Sequence, residues 1–264
     1  MFMHPGFDPV TFNIYGPLSI RWYGLAYAAG FFVVWYFGCK NLVNFKEISK
    51  TDFADIIFYT ILGVVLGGRI GYVLFYGFAY LKHDFWSVFR IWEGGMSFHG
   101  AFIGALLAIG YAAYNKRVSF WRITDLICVY VPVGLFFGRA ANFINGELWG
   151  RVTDVPWAVV FPLVDSNPRH PSQIYEMLGE GLMLFIILQL ASRRAKNLGY
   201  LSGLFLLCYG SIRFILEYFR APDQQLGFVM ADKLTMGQVL SLPMIMCGLL
   251  LLWWSWRKSL AASS

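Results

Sequence analysis

Seven stretches of this chain stay apolar for about the 20 residues that a helix needs to cross a bilayer: 17–38, 53–77, 96–115, 121–143, 172–191, 198–219 and 235–256. Inside hydrocarbon the backbone must satisfy its own hydrogen bonds, which a helix does within one segment. The expected fold is therefore all-α: a polytopic membrane protein of seven transmembrane helices with a small extracytoplasmic loop region. Short connections make residues 1–264 a single integral membrane domain with no soluble domain appended. A composition of 58% hydrophobic and 14% charged residues lies well outside the soluble mix. No internal repeat or low-complexity tract is visible. The segment MFMHPGFDPVTFNIYGP lacks the basic n-region of a cleaved signal peptide, so the first span is expected in the mature protein.

The net charge of +6 could suggest a nucleic-acid partner, but its distribution does not. Lys40, Lys46 and Lys50, then Lys116, Arg117 and Arg122, then Arg193, Arg194 and Lys196, then Arg257 and Lys258 all fall on one side of the seven spans. The positive-inside rule makes that side cytoplasmic. The opposite loops mix Lys82, Arg90, Arg151, Arg169, Arg220 and Lys233 with Asp84, Glu93, Asp154, Asp165, Asp223 and Asp232, placing the N-terminus outside and the C-terminus inside. Tyr72, Tyr76, Tyr80, Trp86 and Trp92 fit an outer aromatic belt. Cys39, Cys128, Cys208 and Cys247 sit in apolar segments and read as small buried hydrophobes. No His/Cys/Asp cluster has metal-ligand spacing and no Gly-rich nucleotide loop occurs, so neither metal nor cofactor is expected.

The polar residues inside the spans are the costly ones. With this topology Tyr23, Arg69, His99, Arg139, Asn142, Glu147, His170, Gln173, Arg213, Glu217 and Arg220, delivered by six spans, share the outer head-group level. Tyr209, Arg213, Glu217 and Arg220 form one helical stripe, and Arg139, Asn142 and Asn145 another if the helix persists. Glycines at 67, 68, 71, 94, 95, 100, 104, 134, 138, 146 and 150 permit close helix or ligand approach. Bland roles exist for most of these. Glu217 fits a structural ion pair with Arg213 or Arg220, the role favoured for it. Asn142 and Asn145 could bond neighbouring helices, His99 alone is weak evidence, and Arg69 could snorkel. Arg139 and Arg213 are different: with few acids in the membrane, they are expected to need an anionic partner. A phospholipid phosphate is the anion at that depth, and guanidinium binds it bidentately.

GRAANFINGELWG resembles the signature of the bacterial prolipoprotein diacylglyceryl transferases, a G-R-x-x-N-F-x-N-x-E-x-x-G pattern. RWYGLAY, GGRIGY, GGMSFHG, RHPSQIYE, RFILEYFRAPDQQLG and MGQVLS extend the likeness along nearly the whole chain. The resemblance implies transfer of the diacylglyceryl group from phosphatidylglycerol to the lipobox cysteine thiol of a prolipoprotein signal peptide. A thioether forms and glycerol phosphate leaves, at the periplasmic face of the inner membrane. It also implies functional roles for Tyr23, His99, Arg139, Asn142, Glu147, Gly150, Tyr209, Arg213, Glu217 and Arg220. The chemistry is compatible: a thiol titrating near about 8.5 needs a base, and histidine suits that task. A phosphate leaving group asks for preorganised cations. His99, Arg139 and Arg213 are thus the catalytic candidates. Tyr23, Arg69, Asn142, Asn145, Glu147, Gly150, Tyr209, Glu217 and Arg220 are the substrate-binding candidates. The competing reading is a lipid or anion transporter using the same arginine pocket. Transporters favour repeats and midplane sites, whereas these groups gather at one face.

Overall fold

The computed structural model describes residues 2–15, 18–42, 47–75, 89–90, 95–195, 197–222, 227–230 and 234–261. Tyr76, Tyr80, Trp86 and Trp92 of the expected belt, and Gly94, lie outside them. The chain divides into two compact units: Met1–Phe12 with Ile20–Val34 and Asp125–Ser264, and Asn13–Ser19 with Trp35–Thr124.

Strands β1 (Phe2–Met3), β2 (Val10–Tyr15) and β3 (Leu18–Arg21) precede α1 (Trp22–Asn41), α2 (Lys50–Phe75), α3 (Phe98–Lys116), α4 (Phe120–Cys128) and α5 (Val131–Ile144). Strands β4 (Val159–Val160) and β5 (Pro168–Arg169) lead into α6 (Ser172–Glu176), which continues through a π-helical stretch, Met177–Met183, into α7 (Leu184–Ser192). Then come α8 (Tyr200–Leu216), β6 (Phe228–Met230), β7 (Leu234–Thr235) and α9 (Met236–Ala261). Among the described residues α1, α2, the composite Ser172–Ser192 and α9 are long and apolar enough to cross a membrane. Helices α4 and α5, bent by 48° at their break, make a fifth span if taken together. Pro132 in the first turn of α5 favours that break, because it has no N–H to continue α4. The expected seven spans are therefore met in part: four, or five. Helix α3 has 19 residues but is diluted by His99, Asn115 and its glycines, and α8 has only 17 and carries Arg213.

In the second unit α2 and α3 touch backbone to backbone. A methyl at Gly67 would meet the Gly100 carbonyl and come 2.9 Å from Gly104 Cα; one at Gly71 would come 2.8 Å from Gly100 Cα. Association in lipid depends on such packing rather than on apolar burial. Ser97 caps α3 by accepting from Gly100 N at 3.2 Å, while its own N–H reaches Gly68 O at 2.8 Å. Gly138, grouped with these glycines on sequence grounds, has open space around it instead.

In the first unit Leu184, Leu188 and Ile212 form a core flanked by Phe205, Cys208, Tyr209 and Leu216. Helix α8 starts at Gly199, which has no side chain for a cap, so Asp125 supplies one. Its buried carboxylate accepts from Gly199 N (2.6 Å), Ser202 N (2.8 Å) and Ser202 Oγ (2.7 Å). Such charge-assisted bonds contribute about 1.5–3 kcal/mol each. Helix α9 opens with a capping box: Gln238 Oε1 accepts from Thr235 N at 3.1 Å and Gln238 N donates to Thr235 Oγ1 at 3.4 Å. A small sheet of order β1-β4-β5 builds the loop region, β1 parallel and β5 antiparallel to β4. His4 ties β1 to the end of α5: Nδ1 accepts from Gly6 N at 3.1 Å, which leaves Nε2–H to donate to Phe143 O at 2.7 Å.

Candidate functional site

The signature begins on the last turns of α5 and folds back on itself. Asn145 ends the helix, and Gly146 (φ +65) and Leu148 (φ +56) turn the chain through left-handed backbone. This brings Glu147 beneath the helix end, where its N–H reaches Asn142 O at 3.1 Å. A carboxylate there opposes the negative end of the helix dipole, and two amides compensate for it. Asn142 Nδ2 and Asn145 Nδ2 each donate to Glu147 Oε1 at 3.1 Å. Asn142, 2% exposed, also donates to Tyr23 Oη at 2.5 Å. The phenol is thus the acceptor of that bond and keeps its own O–H proton to offer elsewhere. Four of the predicted residues, Tyr23, Asn142, Asn145 and Glu147, form one connected cluster.

The loop is fastened from both flanks. Gln173 Nε2 donates to Glu147 O at 2.6 Å and Ser172 Oγ to Leu148 O at 2.9 Å. Gly150 bridges to Arg220 and donates to His170 O at 3.0 Å. A methyl at Gly150 would come 2.6 Å from His170 Cβ and 2.7 Å from Phe219 O, so the contact requires glycine. Just beyond the signature, Arg169 holds the Asp165 carboxyl low, at a pKa of about 2, by hydrogen bonds at 3.2 and 2.5 Å. Trp157 Nε1 donates to Tyr175 Oη at 2.6 Å, so the tyrosine proton goes to His170 Nδ1 at 3.1 Å. Partial burial moves the His170 pKa down, consistent with a neutral ring that accepts there.

Arg139 and Arg213 do come together, but the expectation that few acids lie near them is wrong. Glu176 and Glu180, both 0% exposed, stand between them. Arg139 Nη1 lies 3.1 Å from Glu176 Oε2, and its Nε and Nη2 donate to Glu180 Oε2 at 3.1 and 3.0 Å. Arg213 Nη1 reaches Glu176 Oε1 at 2.6 Å and Glu180 Oε1 at 3.3 Å, and Nη2 reaches Glu217 Oε2 at 2.6 Å. Arg220 Nη1 is 3.8 Å from the same Glu217 oxygen. Three guanidiniums therefore meet three carboxylates, and the assembly is close to neutral. Glu176 ends α6 and Glu180 lies in the π-helical stretch, four residues on and on the same face. A methyl on Gly181 would come 2.7 Å from Phe136 Cβ on α5, and one on Gly179 would come 2.9 Å from Leu216 on α8. The two helices thus close in around the acids. Unpaired, each buried charge would cost several kcal/mol, on the order of 3–5 for a broken pair. Arginine carries five N–H donors, more than these carboxylates consume, so capacity for a further oxyanion remains.

Glu217 has a second set of partners that the sequence reading missed. Thr235 Oγ1 donates to Glu217 Oε1 at 3.0 Å. Gly237 leaves the carboxylate its space, since a methyl there would come 2.7 Å from Cδ. The favoured ion-pair geometry of Glu217 is present. Tyr209, one turn before Arg213, stacks on Phe205 with centroids 5.7 Å apart.

His99 and Arg69 belong to the second unit. His99 is exposed in the first turn of α3, its ring edge-on to Phe98 at 5.8 Å. Arg69 is buried, 7% exposed, and donates to Gly95 O at 3.1 Å. It therefore holds the turn that leads to His99 rather than snorkelling. Among the described residues no group of three or more His, Cys, Asp or Glu could hold a metal ion.

Of the residues missed, Glu176 and Glu180 carried a usable signal: two acids four apart in an otherwise apolar span. Thr235 and Gln238 carried the T-x-x-Q spacing of a capping box. The link from Thr235 to Glu217 carried none. Residues 9–254 match the family model described as "Prolipoprotein diacylglyceryl transferase". Similar proteins include the phosphatidylglycerol--prolipoprotein diacylglyceryl transferase of Cupriavidus metallidurans, 49% identical over 100% of this chain and 99% of that protein. The protein of the same name from Idiomarina loihiensis is 50% identical over 94% of this chain and 93% of its own. That from Legionella pneumophila is 47% identical over 97% and 100%.

Proposed function

Because the chain belongs to the prolipoprotein diacylglyceryl transferase family, we propose that it moves the diacylglyceryl group of phosphatidylglycerol onto the lipobox cysteine of prolipoproteins. The thiolate sulfur attacks the glyceryl carbon that bears the phosphate ester, and a carbon–sulfur bond forms as the carbon–oxygen bond breaks. The electron pair leaves with glycerol phosphate. The thiol proton goes to a base, for which His99 is the candidate. Arg139 and Arg213 stabilise the charge growing on the leaving phosphate through N–H groups not consumed by Glu176, Glu180 and Glu217. Preorganised donors of this kind need no reorganisation as the charge develops. Tyr23, Asn142, Asn145 and Glu147 orient the donor head group. Gly150 and Arg220 hold the loop against the end of α8, Tyr209 shapes the wall beside Arg213, and Arg69 sets the turn that presents His99.

In this reading residues 1–264 act as one membrane domain of seven spans, with α3 and α8 as the shorter ones. The chain sits in the bacterial inner membrane, N-terminus periplasmic and C-terminus cytoplasmic, with the site toward the periplasmic leaflet. The charge distribution supports that orientation. The observation that carries the functional reading is the joined cluster Tyr23–Asn142–Glu147–Asn145, because it gathers the signature side chains where α5 ends. The test is transfer by the purified full-length protein from phosphatidylglycerol to a synthetic lipobox peptide, followed by mass spectrometry. A diacylglyceryl adduct on the cysteine, absent from a Cys→Ser peptide, is the expected product. Active wild-type protein that forms no such adduct but moves lipid between leaflets of a vesicle overturns the transferase in favour of a transporter.

A further inference from the structure

Among the described residues two amide oxygens beside the signature loop, Gln173 Oε1 and Asn145 Oδ1, are buried without a hydrogen-bond partner. Turning the amides round does not cure this. The nitrogen of each already serves Glu147, Gln173 Nε2 on the backbone oxygen at 2.6 Å and Asn145 Nδ2 on the carboxylate at 3.1 Å. A flipped amide would set oxygen against oxygen at both places, so the acceptors fix the orientation. Both unpaired oxygens therefore flank one residue of the site and face away from it. Buried acceptors left unpaired are uncommon and costly in folded proteins, and each asks for a reason.

We infer that these two oxygens read the hydroxyl groups of the lipid donor's head group, making Gln173 and Asn145 specificity residues. The assignment rests on the transfer reaction proposed above. Carbonyl oxygens repel phosphate, so they do not hold the anion; they need a partner that donates. The glycerol head group of phosphatidylglycerol offers two O–H donors just past its phosphate, one for each oxygen. Gln173 is 0% exposed, whereas Asn145 and Glu147 are half-buried, so the loop is the less covered side of the pair. A small polyol suits two buried acceptors better than a peptide N–H, which carries a substituted carbon on each side.

A site built to bond a hydroxyl rejects an analogue lacking it far more strongly than an apolar pocket does. The test uses full-length protein, one lipobox peptide and two donors, phosphatidylglycerol and phosphatidylpropanol, which has no head-group hydroxyl. The breaking carbon–oxygen bond and the alkyl phosphate leaving group are alike in both, so the ratio of kcat/KM values isolates the hydroxyls. Wild type is expected to prefer phosphatidylglycerol by on the order of 100-fold or more. Gln173→Met and Asn145→Leu should each lower that ratio by about tenfold, whatever happens to the absolute rates. A purely supporting role slows both lipids equally and leaves the ratio fixed; that result in both variants overturns the inference. So does a wild-type ratio near one, a reading that needs no variant to fold, or a change confined to the KM for peptide. Wild-type protein that uses neither lipid defeats the transferase reading itself.

Discussion

Glu180→Gln tests whether Arg139 and Arg213 depend on the acids between them. Glutamine keeps the size and shape of the side chain and removes only the charge and one acceptor. In the native cluster Glu180 Oε2 accepts two bonds from Arg139, at 3.1 and 3.0 Å, and Oε1 accepts a longer one from Arg213 at 3.3 Å. If the glutamine oxygen faces Arg139, those two bonds fall from charge-assisted to neutral strength, a loss of about 1 kcal/mol each. The amide N–H2 then points at Arg213 Nη1, donor against donor, and the cluster is left with one excess buried positive charge. The sum comes to about 3 kcal/mol, at the lower edge of the range for breaking a buried pair. For a chain of this size that corresponds to a fall of roughly 6–12 °C in Tm. Thermal unfolding of the detergent-solubilised protein, followed by tryptophan fluorescence, measures it directly. Transfer activity, assayed well below the lowered Tm, should also drop, because Arg139 loses the partner that sets its orientation. A Tm unchanged from wild type together with undiminished turnover would refute the reasoning and return the arginines to the status of a clamp that needs no acid.

Three further outcomes follow from the geometry. Gly237→Ala puts a methyl 2.7 Å from the Glu217 carboxylate carbon, so Glu217 must leave Thr235 or Arg213; transfer should fall by at least about tenfold, the cost of losing one charge-assisted bond. Equal turnover in the peptide assay would show that Glu217 has room to spare. Gly67→Leu forces α2 from α3 at the Gly100 carbonyl and should lower the yield of monodisperse protein on size exclusion, while Gly138→Ala, in open space, should not. The Asp165–Arg169 pair should hold its loop at every pH above about 4, the ordinary aspartate value, because a carboxyl depressed to about 2 in the folded state stabilises only while ionised. Protease sensitivity of residues 151–171 should therefore rise as the pH falls from 4 toward 2, and Asp165→Asn should show the raised sensitivity already at neutral pH; a flat profile in wild type would remove the pair from the account.

The helices and the signature cluster were legible in the sequence for a simple reason: each depends on local spacing. Apolar length marked the spans, and Asn142, Asn145 and Glu147 lie close enough along the chain that one turn past α5 joins them. The span count was less secure because α3 and α8 carry polar residues within apolar helices, His99 in one and Arg213 in the other. The loop sheet was not legible at all: β1, β4 and β5 have only two residues each, and their pairing across the chain follows from tertiary packing.

The acids between Arg139 and Arg213 were hidden for a different reason. The sequence points to lipid phosphate as the anion for these intramembrane cations, and the structure adds three carboxylates, brought in by α6, the π-helical stretch and the end of α8. Glu176 and Glu180 were visible as acids four apart on one helix face, yet which helices that face meets depends on tertiary packing that spacing alone does not reveal. The consequence reaches the mechanism. In the proposed transfer, a pair of unopposed arginines would bind any phosphate tightly, product as well as donor, and would hold the leaving group. Arginines already shared among Glu176, Glu180 and Glu217 offer a weaker net attraction but a fixed orientation. Under the proposed mechanism a fixed orientation favours the transition state over the ground state, and only that difference raises turnover.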